Sequence, residues 1–283
     1  MIDQSILSMF NFPRWGISSQ QQSTLLHVAI ALSVLSAAYA LWLARRERDG
    51  YPVFVFLGAG LAVLYEPLGD ILSKVAYPPL DQISLMISFG RPIPLWMLPN
   101  YFFFFCVPVL LLLQFVVRRG VSARRWFLTY CSLTLLVALF EQPGINADAW
   151  RYYGAHRAFA INSYPVWVAF VNAETLMMLA VGIHLLRRTI ISARTSFLFV
   201  ILVPILLVGS HVGPAIFVAS AMYSGTSQAI INAAALLTIS SCLLLVSLAL
   251  VVVRRRSNEI VAHRHLEEKE RALSETLSRG ARQ

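Results

Sequence analysis

Long apolar runs separated by short polar connections set the architecture. Stretches near 23–43, 52–73, 94–117, 126–145, 163–186, 196–218 and 229–253 each approach the roughly 20 mostly apolar residues that a bilayer-crossing helix needs. The pattern predicts an all-α polytopic membrane protein. An N-terminal segment, 1–22, precedes seven transmembrane helices over 23–253, and a charged helical tail, 254–283, follows. The opening MIDQSILSMFNFPRWG has neither a basic start nor a small-residue cleavage site. The first span is therefore expected to stay in the mature chain.

Charge then gives the orientation. Residues are 58% hydrophobic and 13% charged, far from the balance of a soluble domain. Basic residues cluster after spans one, three, five and seven: Arg45, Arg46 and Arg48; Arg118, Arg119, Arg124 and Arg125; Arg187, Arg188 and Arg194; then Arg254, Arg255 and Arg256. With the tail included, 18 of 23 Lys and Arg fall on one side. The positive-inside rule puts that side in the cytoplasm, with the N-terminus and segment 1–22 outside. This placement explains the net charge of +9 without a nucleic-acid partner. The expected setting is a cell membrane crossed many times, with the bilayer and a lipophilic small molecule as partners. The sequence assigns no oligomeric state. Cys106, Cys131 and Cys242 all fall in apolar runs without metal-ligand spacing, so packed free thiols are expected.

Two connections on the outer side, 74–93 and 146–162, are longer and mix Pro, Gly, Trp, Tyr, Asp, Arg and His. That mixture suits a lid or pocket rim, and equally an interfacial aromatic belt. The tail alternates Glu with Lys and Arg around a loose helical repeat of Ile and Leu, which reads as a solvated cytoplasmic helix with His263 and His265 on its surface.

Ionisable side chains inside apolar spans are expensive and normally face a cavity or the bundle interior. At about 1.5 Å per residue, Glu66, Glu141 and His211 lie roughly 20–23 Å from the inner boundary. Counting inward from the outer boundary, Asn100 lies about 9 Å deep, Asn172 about 13 Å and Glu174 about 16 Å. Five helices thus contribute polar groups to one layer, which predicts a pocket opening outward. Glu66, Asp70, Glu141, Glu174 and His211 are the candidate catalytic groups. Trp96, Asn100, Tyr101, Trp150, Tyr153 and Asn172 are the candidate substrate contacts.

The stretch LAVLYEPLGD places Glu66 and Asp70 one helical turn apart, with Asp70 near the interface and solvated. Two nearby carboxyls resist ionising together, so one is available as a general acid. ALFEQPGINAD repeats the theme around Glu141. Pro67 and Pro143 are expected to loosen their helix ends. The competing reading pairs Glu66 and Glu141 with Arg91, Arg151 or Arg157 as staples. His211, in GSHVGP, reads as a proton relay or as a structural histidine among close-packed helices.

No histidine-box set, Asp-rich motif, Walker sequence, G-x-S-x-G or facing pair of haem histidines is present. The expected chemistry uses no cofactor and no metal, only proton movement: cyclisation, dehydration, hydration or isomerisation.

At YEPLGDILSKVAYPP, FGRPIPLWMLPNY, FEQPGINADAWRYYGAHRAF and YPVWVAFVNAE the chain resembles the AveC-like spirocyclase family of multi-spanning membrane proteins, over roughly residues 60–180. The resemblance implies a membrane enzyme acting on a polyketide-like or other lipophilic oxygenated substrate, with dehydration and spiroketal formation as the family's eponymous activity. A vaguer similarity links it to membrane carotenoid hydratases and cyclases. Neither resemblance assigns catalytic residues. The alternative to an enzyme is a seven-helix sensor or transport component for a lipophilic ligand.

Overall fold

The computed structural model describes residues 13–117, 122–154 and 157–280, with side chains described up to residue 254. Within them, seven helical segments are long and apolar enough to cross a membrane. The chain is mostly helical, in keeping with the all-α expectation, and three small two-stranded antiparallel sheets cap one end. Of the N-terminal segment, residues 1–12 lie outside the described residues.

Segment one is α1 (Ser19–Glu47). Ser18 Oγ accepts from the Gln21 amide while the Gln21 side chain accepts from the Ser18 amide, a reciprocal cap that satisfies two orphan donors. Arg45 and Arg46 occupy its last turn, where the helix dipole favours cations. Segment two is broken: α2 (Tyr51–Leu61), a 3₁₀ turn (Ala62–Tyr65) and α3 (Glu66–Ser73). Pro67 falls in the first turn of α3, where its missing N–H costs nothing, so the break comes one turn ahead of it. Glu66 therefore opens a new helix. Segment three also breaks, into α4 (Met97–Phe104), α5 (Val107–Leu112) and a π turn (Leu113–Val117).

Segment four is α6 (Ala123–Asn146), and Pro143 does not loosen it. Only the final turn lies beyond Pro143, whose carbonyl still accepts from the Ala147 amide at 3.0 Å. Segment five, α7 (Val166–Thr189), forms the bundle's axis, buried on nearly every face and packed on segments three, four, six and seven. Segment six joins a 3₁₀ turn (Ala193–Leu198) to α8 (Phe199–Tyr223). It crosses segment two at Gly58, where a Cβ would come within 2.5 Å of the Phe199 carbonyl oxygen. Segment seven is α9 (Gln228–Gly280), uninterrupted over 53 residues or about 80 Å. The helical tail is thus a continuation of this segment; the side chains of His263 and His265 lie outside the described residues.

The core is sealed by full-size aromatics, among them Trp126, Trp167, Tyr51 and Tyr130. Trp126 sends its indole N–H to the Val246 carbonyl at 2.8 Å, so burial leaves no orphan donor. Cys106 and Cys242 are packed free thiols as expected, whereas Cys131 is exposed on segment four.

The two longer connections, 74–93 and 146–162, build the cap. β1 (Val75–Ala76) pairs with β4 (Arg151–Tyr152), joining the loop after segment two to the loop after segment four. β2 (Ser84–Ser88) and β3 (Arg91–Pro94) form a hairpin through Phe89 and Gly90, both at positive φ. β5 (Ala160–Ile161) and β6 (Tyr164–Pro165) form another through Asn162 and Ser163, at φ 48° and 67°. Two positive-φ residues are what a tight hairpin of this hand requires. Trp15 donates to the Asp148 carbonyl at 2.8 Å, and Lys74 Nζ to the Met222 carbonyl at 2.7 Å. The N-terminal strap and all three connections at this end are therefore knitted together.

Candidate functional site

Beneath the cap lies a partly open cavity of about 110 Å³. Glu66 and Asp70 reach it from the same face of α3, with Gly69 and Ser73 beside them. Glu141 enters from the end of α6 and His211 from α8. Asn100 and Tyr101 of α4 and Asn172 of α7 complete the polar ring, while Trp96 and Trp150 arrive from the capping loops. The layer expected from helix depth is thus a real enclosure for nine of the eleven candidates.

Two candidates stand elsewhere. Glu174 is fully buried but does not line the cavity. It follows Asn172 by two residues, a rotation of about 200° around a helix, so it faces away from the cavity that Asn172 touches. Equal depth did not mean equal direction. Neither of its oxygens has a hydrogen-bond partner among the described residues. Tyr153 is turned out in the same fashion. Successive residues of a strand point to opposite sides, so Tyr152 faces the cavity while Tyr153 faces Arg91, which hydrogen-bonds its hydroxyl. Asp70, expected near solvent, is instead only 4% exposed.

The carboxyls are held by neutral donors. Glu66 accepts from Tyr77 on Oε1 and from Tyr101 on Oε2, the latter at 2.5 Å. Glu141 accepts twice on one oxygen, from Trp150 Nε1 at 2.9 Å and from the Tyr152 hydroxyl at 3.2 Å. Its Oε1 has no hydrogen bond among the described residues. Among the described residues no arginine forms an ion pair with Glu66 or Glu141: Arg91 donates to the Val75 carbonyl and the Tyr153 hydroxyl, Arg151 pairs with Asp148, and Arg157 donates to the Tyr152 carbonyl.

Tyr77 and Tyr152 both belong to the β1–β4 region of the cap. Burial, with Glu66 beside it, pushes the Tyr77 phenol well above its ordinary value. Burial, with Glu141 beside it, does the same to Tyr152. Both hydroxyls therefore remain donors at any physiological pH. Gly144 makes room for the indole that grips Glu141, since a Cβ there would meet Trp150 Cη2 at 1.8 Å.

Other polar atoms at the cavity are unsatisfied. Asp70 Oδ2, the Tyr65 hydroxyl, Trp96 Nε1 and His211 Nδ1 are buried with no hydrogen-bond partner among the described residues. The His211 ring lies 5.4 Å from that of Tyr65. Buried polar atoms normally have partners, so a cluster of four around one void marks a place where a ligand or water completes the set.

Sequence reading missed Tyr77 and Tyr152 as members of the site. The signal for Tyr77 was its place in VAYPP, at the end of a chain reversal that brings it back over Glu66. For Tyr152 it was strand alternation within WRYY, which selects one of the two tyrosines.

No family model, no curated protein and no solved structure matches this chain.

Proposed function

We propose that the chain is an integral membrane enzyme that moves protons without a cofactor, in the manner of the AveC-like proteins it resembles. It would cyclise, dehydrate or isomerise a lipophilic, polyketide- or terpenoid-like substrate. In this reading the seven segments cross a cell membrane, the basic end is cytoplasmic and the cap lies outside.

The observation that carries the reading is the unequal holding of two carboxyls around one cavity. Glu66 has both oxygens occupied by tyrosine hydroxyls, while Glu141 keeps Oε1 without a hydrogen bond among the described residues. Glu141 is therefore the group that gives a proton to a substrate hydroxyl, carbonyl or alkene and takes one back. Glu66, fixed by Tyr77 and Tyr101, supplies negative charge against the positive charge that protonation creates. His211 and Asp70, with unpartnered atoms at the cavity, orient the reacting group. The aromatic lining, with Trp96 and Trp150 5.7 Å apart, keeps the occupant dry.

Metabolite comparison between a deletion strain and its parent identifies the substrate. Membranes carrying wild type, Glu141→Gln or Glu66→Gln are then assayed for turnover. Loss of a positioned acid–base group lowers rates by about 10²–10⁴-fold, so Glu141→Gln is expected to fall at least about 100-fold. Turnover unchanged in both variants, with normal folding, ends the assignment.

One observation favours a second reading. Segment seven continues as a single helix through Gly280, a lever on which a sensor would pass occupancy of the cavity to a partner. Truncation after Arg254 separates the two, because it abolishes signalling and leaves intramembrane turnover intact.

A further inference from the structure

The cavity is as one-sided in charge as its walls are aromatic. Three carboxyl groups line it, Glu66, Asp70 and Glu141, and among the described residues no lysine or arginine does. The basic side chains of the surrounding cap are engaged elsewhere. Lys74 Nζ donates to Met222 and lies 4.6 Å from the Tyr223 ring centre. Arg91 donates to the Val75 carbonyl at 2.8 Å and lies 5.3 Å from the centre of the Tyr153 ring. Arg151 is paired with Asp148 and stands 4.5 Å over Trp15. In each case a cation already rests on an aromatic ring, outside the cavity.

The same two ingredients inside the cavity meet a cation only from behind its wall, where buried Arg91 lies within electrostatic reach of Asp70 without lining the cavity. Trp96 and Trp150 form a tilted pair, and Tyr77 stands edge-on to Trp96 with ring centres 5.6 Å apart. Asp70 Oδ2, in the same lining, is buried with no hydrogen-bond partner among the described residues. Aromatic rings next to carboxylates are the recognition chemistry of ammonium groups, which need no directional donors to be held. An anion would meet three acids. A divalent metal ion needs several converging oxygen or nitrogen ligands, and among the described residues no three His, Cys, Asp or Glu side chains come close enough to share one.

We propose that the cavity binds a lipophilic organic cation, a protonated amine or quaternary ammonium on an apolar skeleton. Its charge sits beside Asp70 and Glu141 and against the Trp96–Trp150 pair. Such an occupant is held this way whether or not the cavity transforms it, so its binding is separable from the acid–base reading.

The test uses the full-length chain in lipid nanodiscs and two probes of one shape. One is hydroxyhexyl-trimethylammonium; the other is the alcohol in which a quaternary carbon replaces its nitrogen. Equilibrium dialysis measures both, with protein-free nanodiscs correcting for partition into lipid. The ammonium is expected to bind at least about tenfold more tightly than the alcohol. Asp70→Asn is expected to remove that preference while leaving the alcohol's affinity in place. Trp96→Leu, a change of a different kind, is expected to reduce the preference as well, and serves if the aspartate variant fails to fold. Equal affinities, no saturable ammonium binding, or a preference that survives both substitutions would overturn the proposal. Loss of turnover in Glu141→Gln alone bears on the acid–base reading and leaves this comparison untouched.

Discussion

The two ends of the bundle hold their acids in opposite ways. At the basic end, Glu47 and Asp49 meet Arg187, which lies 2.5 Å from Asp49 Oδ2 and 3.8 Å from Glu47 Oε2. The same guanidinium stacks 3.7 Å over the Tyr51 ring. At the capped end, Glu66 and Glu141 sit among as many aromatics, yet their hydrogen bonds come from tyrosine hydroxyls and an indole N–H. An acid opposed by arginine spends its charge on a neighbour and works as a fastener. An acid steadied by neutral donors keeps a charge, or a proton, to offer an occupant.

The contrast can be broken from either side. The largest expected effect on stability belongs to Arg187→Met. Its side chain is 23% exposed and those of Glu47 and Asp49 are 15% and 12% exposed, so removing it takes a guanidinium counter-charge from two mostly buried carboxylates, which keep their bonds to Gln114 and the Tyr51 amide. A loss of about 3 kcal/mol is expected, read as a lower thermal midpoint in nanodiscs, with ammonium binding unchanged. Weakened binding in a folded protein would mean that the two ends are coupled.

Gly144→Leu comes next. The new side chain displaces the Trp150 indole, ending its bond to Glu141 and its pairing with Trp96. Overpacking of this kind costs about 1–3 kcal/mol, and both turnover and ammonium preference are expected to fall with it. Wild-type turnover and binding in this variant would show that the indole is wall material only.

The smallest effect is expected from Tyr77→Phe, which leaves the ring and removes one of the two donors to Glu66. A lost hydrogen bond to a charged or polar acceptor is worth about 1–2 kcal/mol. Turnover is expected to drop by about tenfold, with a loss of stability no larger than the worth of that one hydrogen bond. An unaltered rate would sharpen the comparison by reducing Glu66 to a structural acid.

Much of this was legible in the amino-acid sequence, and the limits have physical causes. The seven apolar runs coincide with seven helical segments long and apolar enough to cross a membrane, and runs of that length have few other ways to satisfy their backbone in lipid. Depth along a helix follows from residue counting, and Glu66, Glu141, His211, Asn100 and Asn172, counted to a common level, all line one cavity. Direction around the helix needs the packing partner, and there Glu174 was misplaced: two residues from Asn172, it faces the opposite way. Asp70 was put in solvent because nothing in its own segment reveals the cap above it. That cap depends on β1 finding β4, a pairing of residues about 76 positions apart. Two-residue strands carry no periodic signal, and their partners are invisible to local pattern. Segment two's 3₁₀ turn and the intact helix at Pro143 show the same limit in miniature, since both prolines are alike in sequence and differ in where each falls within its helix.

The short ladder between β1 and β4 has a consequence for how this cavity can change over time. Each strand follows within about ten residues of an acid, Glu66 before Val75 and Glu141 before Arg151, and each supplies or adjoins the tyrosine that grips that acid. Main-chain atoms therefore act as a caliper that gauges the gap between the two acids. Side chains on the outside of the bundle can drift freely without altering that gauge. A single inserted residue between acid and strand would reset it, and with it the size of molecule that fits.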